Sequence, residues 1–141
     1  MKITNLELQG QFIVALGELA ITKTNTKVAY NAAKTIKSAN AAIEVFNAAK
    51  KALVETRCVM DANGKPKTEN VTVTDALGKE SVQNHYVFPT PEVKAEVESL
   101  IGQLSNQEID LDVFSVTLDE LGSVEITPLM MMGLKDFIKE S

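Results

Sequence analysis

Three acidic side chains alternate with apolar ones in "QEIDLDVF": Glu108, Asp110 and Asp112. On an extended strand such residues share a face, about 6–7 Å apart at successive positions. Carboxylates so spaced could hold Mg²⁺ or serve as an acid pair. The residues between them, Ile109, Leu111 and Val113, make the opposite face apolar, so the row reads most simply as the solvated side of a strand. A glycosidase-like pair would also want an aromatic platform for the sugar, and none accompanies these residues.

Other reactive side chains are sparse. His85 is the one histidine and Cys58 the one cysteine. Two soft ligands fall short of the four that a zinc site takes within one chain, and a single cysteine forms no internal disulfide. The nucleophile-elbow, P-loop and dinucleotide-binding patterns are missing. "DANGKPKTENVT" could open a calcium loop at Asp61 and Asn63, but its fifth position is Lys65, its sixth Pro66 and its twelfth Thr72, where a ligand, a glycine and a glutamate belong. No catalytic residue, metal site or cofactor is expected, and the chain does not read as an enzyme.

Binding an anion needs only a few donors. Arg57, Lys50, Lys51, His85 and Tyr86 would supply them if the end of the long helix described below meets the following hairpin. In an oligomer, the one arginine per chain is multiplied at symmetric pockets. A broad nucleic-acid surface is not expected. The net charge is −5, with 14 Lys and Arg against 19 Asp and Glu, and a phosphate backbone calls for clustered cations. No run of 18 apolar residues occurs, so no membrane partner is expected. The opening "MKITNLELQG" lacks the apolar core of a signal peptide, which favours a soluble protein in a reducing cytoplasm.

These groups must be carried by a scaffold of 141 residues, 45% hydrophobic and 5% aromatic. Such a chain suits a single α+β domain, residues 1–141. Ile3, Leu6 and Leu8 alternate imperfectly, as in a short strand or arm. Phe12, Leu16 and Leu19 recur at helical spacing and predict a short first helix over Gln9–Ala20. Asn25 or Thr26 then caps a long helix running to about Met60. Its segment "YNAAKTIKSANAAIEVFNAAKKAL" is one-third alanine.

Along that helix Ala29, Ala32, Ile36, Ala39, Ile43, Phe46 and Leu53 step by three and four, with Lys50 as the one charged slot. The stripe covers about four heptads. It fits either a helix packed on its own domain or a seam for a second copy. A helix of this length, about 45 Å at 1.5 Å per residue, exceeds a compact core of this size and is expected to project.

Asn63-Gly64 marks a turn, and "NVTVTDALGKESVQNHYVF" predicts a β-hairpin turning at Leu77-Gly78. Thr90-Pro91 starts a helix reaching about Leu104, with Val93, Val97, Leu100, Ile101 and Leu104 on one face. The strand bearing the acidic row follows, then a short extended "SVEIT". Thr127-Pro128 opens a terminal helix in which Leu129, Gly133, Leu134, Phe137 and Ile138 face inward. Met130, Met131 and Met132 cannot all do so.

The order "ALGEL", "KVAYNAAKTIKSANAAIEVFNAAKKAL", "DANGK", hairpin, "EVESLIGQLSNQEIDLDV", "LDEL" and "ITPLMMMGLKDFI" resembles a family of small uncharacterised proteins encoded by tailed phages and prophages of Firmicutes. Asn25-Thr26 stands where that family often has Leu-Pro. The resemblance implies a fold and a phage setting, not a reaction, and no residue roles come with it.

The expected function is that of a non-enzymatic phage accessory protein: an oligomeric interaction module serving the virion or its assembly, or blocking a host factor. Its partners would be further copies of itself through the long helix, and a phage or host protein. The alternative is an oligomeric sponge for a small anionic host-defence signal such as a nucleotide. Either would act in the cytoplasm of the infected cell or in the virion.

Overall fold

Thr4 ends one element and starts the next. In the computed structural model, which describes residues 1–140, β1 (Lys2–Thr4) gives way directly to α1 (Asn5–Glu7). The Thr4 hydroxyl accepts the Glu7 amide, and the Glu7 carboxylate accepts the Thr4 amide, closing a capping box. Helix therefore begins four residues before the expected Gln9. Leu6 and Leu8 belong to helix instead of an extended arm. A π-helical stretch, Leu8–Phe12, leads into α2 (Ile13–Ala20). It turns Leu8, Phe12, Leu16 and Leu19 to the interior, each at most 1% exposed.

The chain divides into two compact units, residues 1–47 with 104 onward, and residues 48–103. The long helix α3 (Thr26–Glu55) and α4 (Pro91–Asn106) contribute to both.

In the first unit, the Asn25 side chain accepts the Val28 amide at 3.0 Å and caps α3. β1 pairs antiparallel with β4 (Glu108–Asp110), Ile3 opposite Ile109. The expected strand through Val113 is thus only three residues long. Beyond Asp110 the Leu111 amide donates to the Met1 carbonyl at 2.8 Å. β5 (Val116–Thr117) lies parallel to β6 (Ile138–Lys139). Between them come α5 (Leu118–Leu121) and α6 (Pro128–Leu134). α5 has a second capping box, Thr117 with Glu120. "SVEIT" forms no strand.

The terminal helix is also shorter than expected. It ends at Leu134, and a 3₁₀ turn, Lys135–Phe137, brings the chain into β6. Met130, Gly133 and Leu134, at i, i+3 and i+4, set its buried face. Leu129, expected inside, precedes that face and is 79% exposed. Gly133 allows a close crossing: a Cβ there would stand 2.9 Å from both the Ala15 Cβ and the Gln11 carbonyl oxygen.

The core joins Ile3, Leu8, Phe12, Leu16, Leu19, Val28, Ala32, Ala39, Leu111, Val116, Leu134 and Phe137. Each large side chain among them gains about 1.5–3 kcal/mol by burial. Two ion pairs tie remote segments at the edge of this core. Lys135 bonds Glu7, and Lys27 meets Glu120 at 2.5 Å. Hydrogen bonds from Lys135 and Thr4 hold the Glu7 carboxyl below its ordinary value. Those from Lys27 and Thr117 do the same for Glu120.

In the second unit, α3 closes at Glu55, short of the expected Met60, because the Arg57 and Cys58 amides both turn back to the Val54 carbonyl. β2 (Thr68–Thr74) and β3 (Glu80–Tyr86) form the expected hairpin, Val71 opposite Gln83 and Val73 opposite Ser81. Its turn, "DALGK", copies "DANGK" fourteen residues earlier. In each, the aspartate carboxylate accepts the amides two and four residues on, at 2.8–3.0 Å. In each, a glycine takes a left-handed φ, 76° at Gly64 and 79° at Gly78.

At the base of the hairpin, away from its own turn, the strands flanking the first turn close a ring of three backbone bonds: Val59 donates to Val87, Val87 to Lys67, and Lys67 to Val59, at 2.8–3.0 Å. Thr90 caps α4 by accepting the Val93 amide at 3.2 Å, as the Thr-Pro pair predicts.

Candidate functional site

The acidic row does not form one site. Asp110 pairs with the amino group of Met1 at 3.3 Å, and Glu108 approaches Lys2 at 3.9 Å. Both contacts run diagonally across the register, in which Lys2 lies opposite Asp110 and Thr4 opposite Glu108. Asp112 lies past the strand end and turns to a different groove. Among the described residues, no group of three or more His, Cys, Asp or Glu is placed to hold a metal ion.

The five residues expected to bind an anion all belong to the second unit. The Arg57 guanidinium meets Glu96 at 3.6 Å and also donates to the Leu53 carbonyl and the Thr56 hydroxyl. Lys51 pairs with Glu55, one turn on, at 3.8 Å. Lys50 is exposed. His85 is exposed and bonds Gln83 at 3.0 Å. Tyr86 lines a groove of about 360 Å³ with Phe88, Pro89 and Lys94, and Arg57, Lys50, Lys51 and His85 are not among its lining residues. The arginine is thus engaged by a carboxylate and does not share Tyr86's groove.

The alanine stripe is largely covered within the chain itself. Ala32, Ala39 and Phe46 are buried, Ile36, Ile43 and Leu53 half-buried, and Ala29 exposed. Ala32 and Ala39 belong to the core, with Ile36 and Ile43 packed against it. From Ala32 to Phe46, little of the stripe is open to a second copy.

The first unit contains two surface features of its own. One is an apolar recess of about 250 Å³ between α2 and α6, lined by Gln11, Val14, Ala15, Glu18, Leu129, Met130, Met132 and Gly133. Gly133, where the two helices come closest, forms part of its lining. Apolar side chains stand exposed around it: Val14 57%, Leu129 79% and Met132 70%. The expectation that the three methionines could not all be internal holds: Met130 is buried and Met132 is largely free.

The second is an open groove of about 500 Å³, lined by Lys34, Lys37, Ser38 and Ala41 of α3 and by Asp112 and Phe114. The four α3 residues lie at i, i+3, i+4 and i+7, one helical face. Asp112 and Phe114 are two apart in the chain on the other wall. That wall is fastened to α3 from inside. The Thr35 hydroxyl accepts the Phe114 amide at 3.0 Å, and the Asn31 side chain donates to the Ser115 carbonyl at 3.2 Å.

Lys34 lies with its ammonium 4.0 Å from the centre of the Phe114 ring and 5.0 Å from that of Tyr30. Reading the sequence alone misses this groove. Lys34 and Phe114 are eighty positions apart, and the only local signal is the Tyr30–Lys34 spacing, i to i+4.

No protein-family model matches the chain, and no curated protein or solved structure matches it. No helix among the described residues is long and apolar enough to cross a membrane. The first unit thus carries an apolar recess beside Val14, Leu129 and Met132, and a groove lined by two lysines, an aspartate and a phenylalanine.

Proposed function

We propose that the protein is a non-enzymatic binding module that self-associates through the recess between α2 and α6. The observation that carries this reading is the recess beside Val14, Leu129 and Met132, all more than half exposed. A protruding apolar side chain beside an apolar recess permits an isologous contact. Under a two-fold axis, Leu129 of each copy enters the recess of the other. Gln11 and Glu18 form a polar rim, as association surfaces commonly have. The contact moves from the alanine stripe, which the core already uses, to a face that the core leaves open.

The residue order that resembles phage and prophage proteins supports an accessory role in a phage setting, in the infected cell or the virion. There a self-associating module would present its remaining surface to a phage or host protein. The alternative, capture of a small anion by Arg57 and its neighbours, loses its main donor to Glu96.

Sedimentation equilibrium across micromolar concentrations tests the association. The expected mass is twice the 15.3 kDa of one chain, falling to one chain in Leu129→Glu and Met132→Glu. A wild-type protein that stays monomeric throughout, or a dimer indifferent to both substitutions, sinks the reading.

A further inference from the structure

We propose that the groove between α3 and the 112–114 segment is a binding site for a small planar anion, a ring carrying a phosphate as in a nucleoside monophosphate. It is separate from the recess between α2 and α6 and does not depend on self-association.

The cation supply points to an anion. Lys34 and Lys37 line one groove in a chain whose net charge is −5. Among the described residues, neither lysine has a carboxylate within ion-pair distance, as holds for most of the chain's lysines, but these two share one groove. Lys34 is half-buried and rests on two aromatic rings in place of a counter-ion. A cation–π contact contributes about 0.5–1 kcal/mol at exposed sites, less than a charge-assisted hydrogen bond to phosphate. An arriving anion therefore outcompetes the rings for the ammonium. Lys37 and the Ser38 hydroxyl, on the same face, add a second charge and a further donor.

The ring requirement follows from Phe114. It is 37% exposed beside the lysines, and its backbone is held by Thr35, which is fully buried. The backbone that carries the ring is thus already placed, and once Lys34 turns to the anion the ring face it covered is available for stacking. Asp112 supplies an acceptor in the same groove and suits the hydroxyl or amino groups of a nucleoside. A volume of about 500 Å³ lies within the usual range for small-ligand sites. The one carboxylate leaves the two lysines in excess, so an anion is favoured over a cation.

The test uses the full chain, with amide shift mapping and calorimetry against adenosine 5′-monophosphate, adenosine and ribose 5-phosphate. The nucleotide should bind saturably at submillimolar to millimolar concentration, shifting the amides of Lys34, Lys37, Ser38 and Phe114. Adenosine and ribose 5-phosphate should each bind at least about tenfold more weakly, since each lacks one of the two anchors. Lys37→Gln and Phe114→Leu should each weaken the nucleotide by about tenfold, with unchanged circular dichroism. Raising the salt concentration should weaken it further.

Failure of the nucleotide to saturate overturns the proposal, as does binding unaffected by both substitutions. Ribose 5-phosphate binding as tightly as the nucleotide refutes the ring. Adenosine binding as tightly refutes the anion. None of these results bears on the sedimentation experiment.

Discussion

Thr35 is bonded to two segments at once. Its hydroxyl donates to the Asn31 carbonyl at 2.8 Å, one turn back on the same helix, and accepts the Phe114 amide at 3.0 Å. Neither bond meets solvent at the threonine, which is 0% exposed. One polar atom thus satisfies a backbone donor that the core would otherwise strand, and it sets the height of one groove wall above α3.

Thr35→Val keeps the shape and removes the hydroxyl. It leaves the Phe114 amide without its partner, a loss of about 1–3 kcal/mol. Thr35→Ser retains the hydroxyl and deletes one methyl group, so it should cost less than the valine. Urea unfolding midpoints compare the two directly. A valine variant as stable as wild type would show that the bond contributes nothing.

The two lowered glutamates make stability depend on pH with a definite sign. Lys135 and Thr4 hold down Glu7, and Lys27 and Thr117 hold down Glu120. A carboxyl whose folded value lies below its unfolded one releases its proton more readily when folded. Its contribution is present above the ordinary value of 4.5 and is lost as pH falls through the lowered folded value. The urea midpoint should therefore drop as pH is taken below about 4.5, more gently in Glu7→Gln/Glu120→Gln. Both pairs are accessible to solvent, so added salt should reduce the difference. An identical pH profile in the double variant would disprove the linkage.

Local signals in the chain were the ones that could be read. Thr90-Pro91 and Thr127-Pro128 predict helix starts, and both hydroxyls cap as expected. Asn25 caps α3 and the hairpin turns at Leu77-Gly78. The same kind of signal stands at Thr4–Glu7 and Thr117–Glu120, each a T-x-x-E box. Reading Ile3, Leu6 and Leu8 as a strand alternation hides the first, and the second follows the strand expected through Val113, where no helix start is expected.

What stays hidden depends on distant partners. β4 is short because β1, more than a hundred residues earlier, is short. A stripe of small residues has the same spacing whether it packs on its own core or on a second copy, so the burial of Ala32 and Ala39 could not be read from periodicity. The acidic row looks like a unit only while the strand is imagined to continue through Asp112.

The duplicated turns allow a comparison within one molecule. Asp61 and Asp75 bond the same two amides in the same five-residue motif. Asp75→Ala should destabilise the hairpin by about 1 kcal/mol, seen as faster amide exchange across β2 and β3. Gly78→Ala adds strain at a φ of 79°, again about 1 kcal/mol. Asp61→Ala should instead quicken exchange at Val59, Lys67 and Val87, whose three bonds close where its turn ends. Equal effects of both aspartate variants on every one of these amides would show that the turns do not act locally.

Gly133 and Gly102 are both helical glycines, and substitution should move them in opposite directions. Alanine is the better helix former by about 0.8–1 kcal/mol. At Gly102 a new Cβ meets nothing within 4 Å, so Gly102→Ala should stabilise by roughly that amount. At Gly133 the same Cβ would lie 2.9 Å from the Ala15 Cβ and 2.9 Å from the Gln11 carbonyl oxygen. Overpacking of this kind costs about 1–3 kcal/mol and outweighs the gain in propensity. Adding Ala15→Gly removes the side-chain clash but leaves the backbone oxygen in place, so the double variant should remain less stable than Ala15→Gly alone. Thermal unfolding of the four variants decides it. If Gly133→Ala proves as stabilising as Gly102→Ala, α2 and α6 do not cross as closely as described.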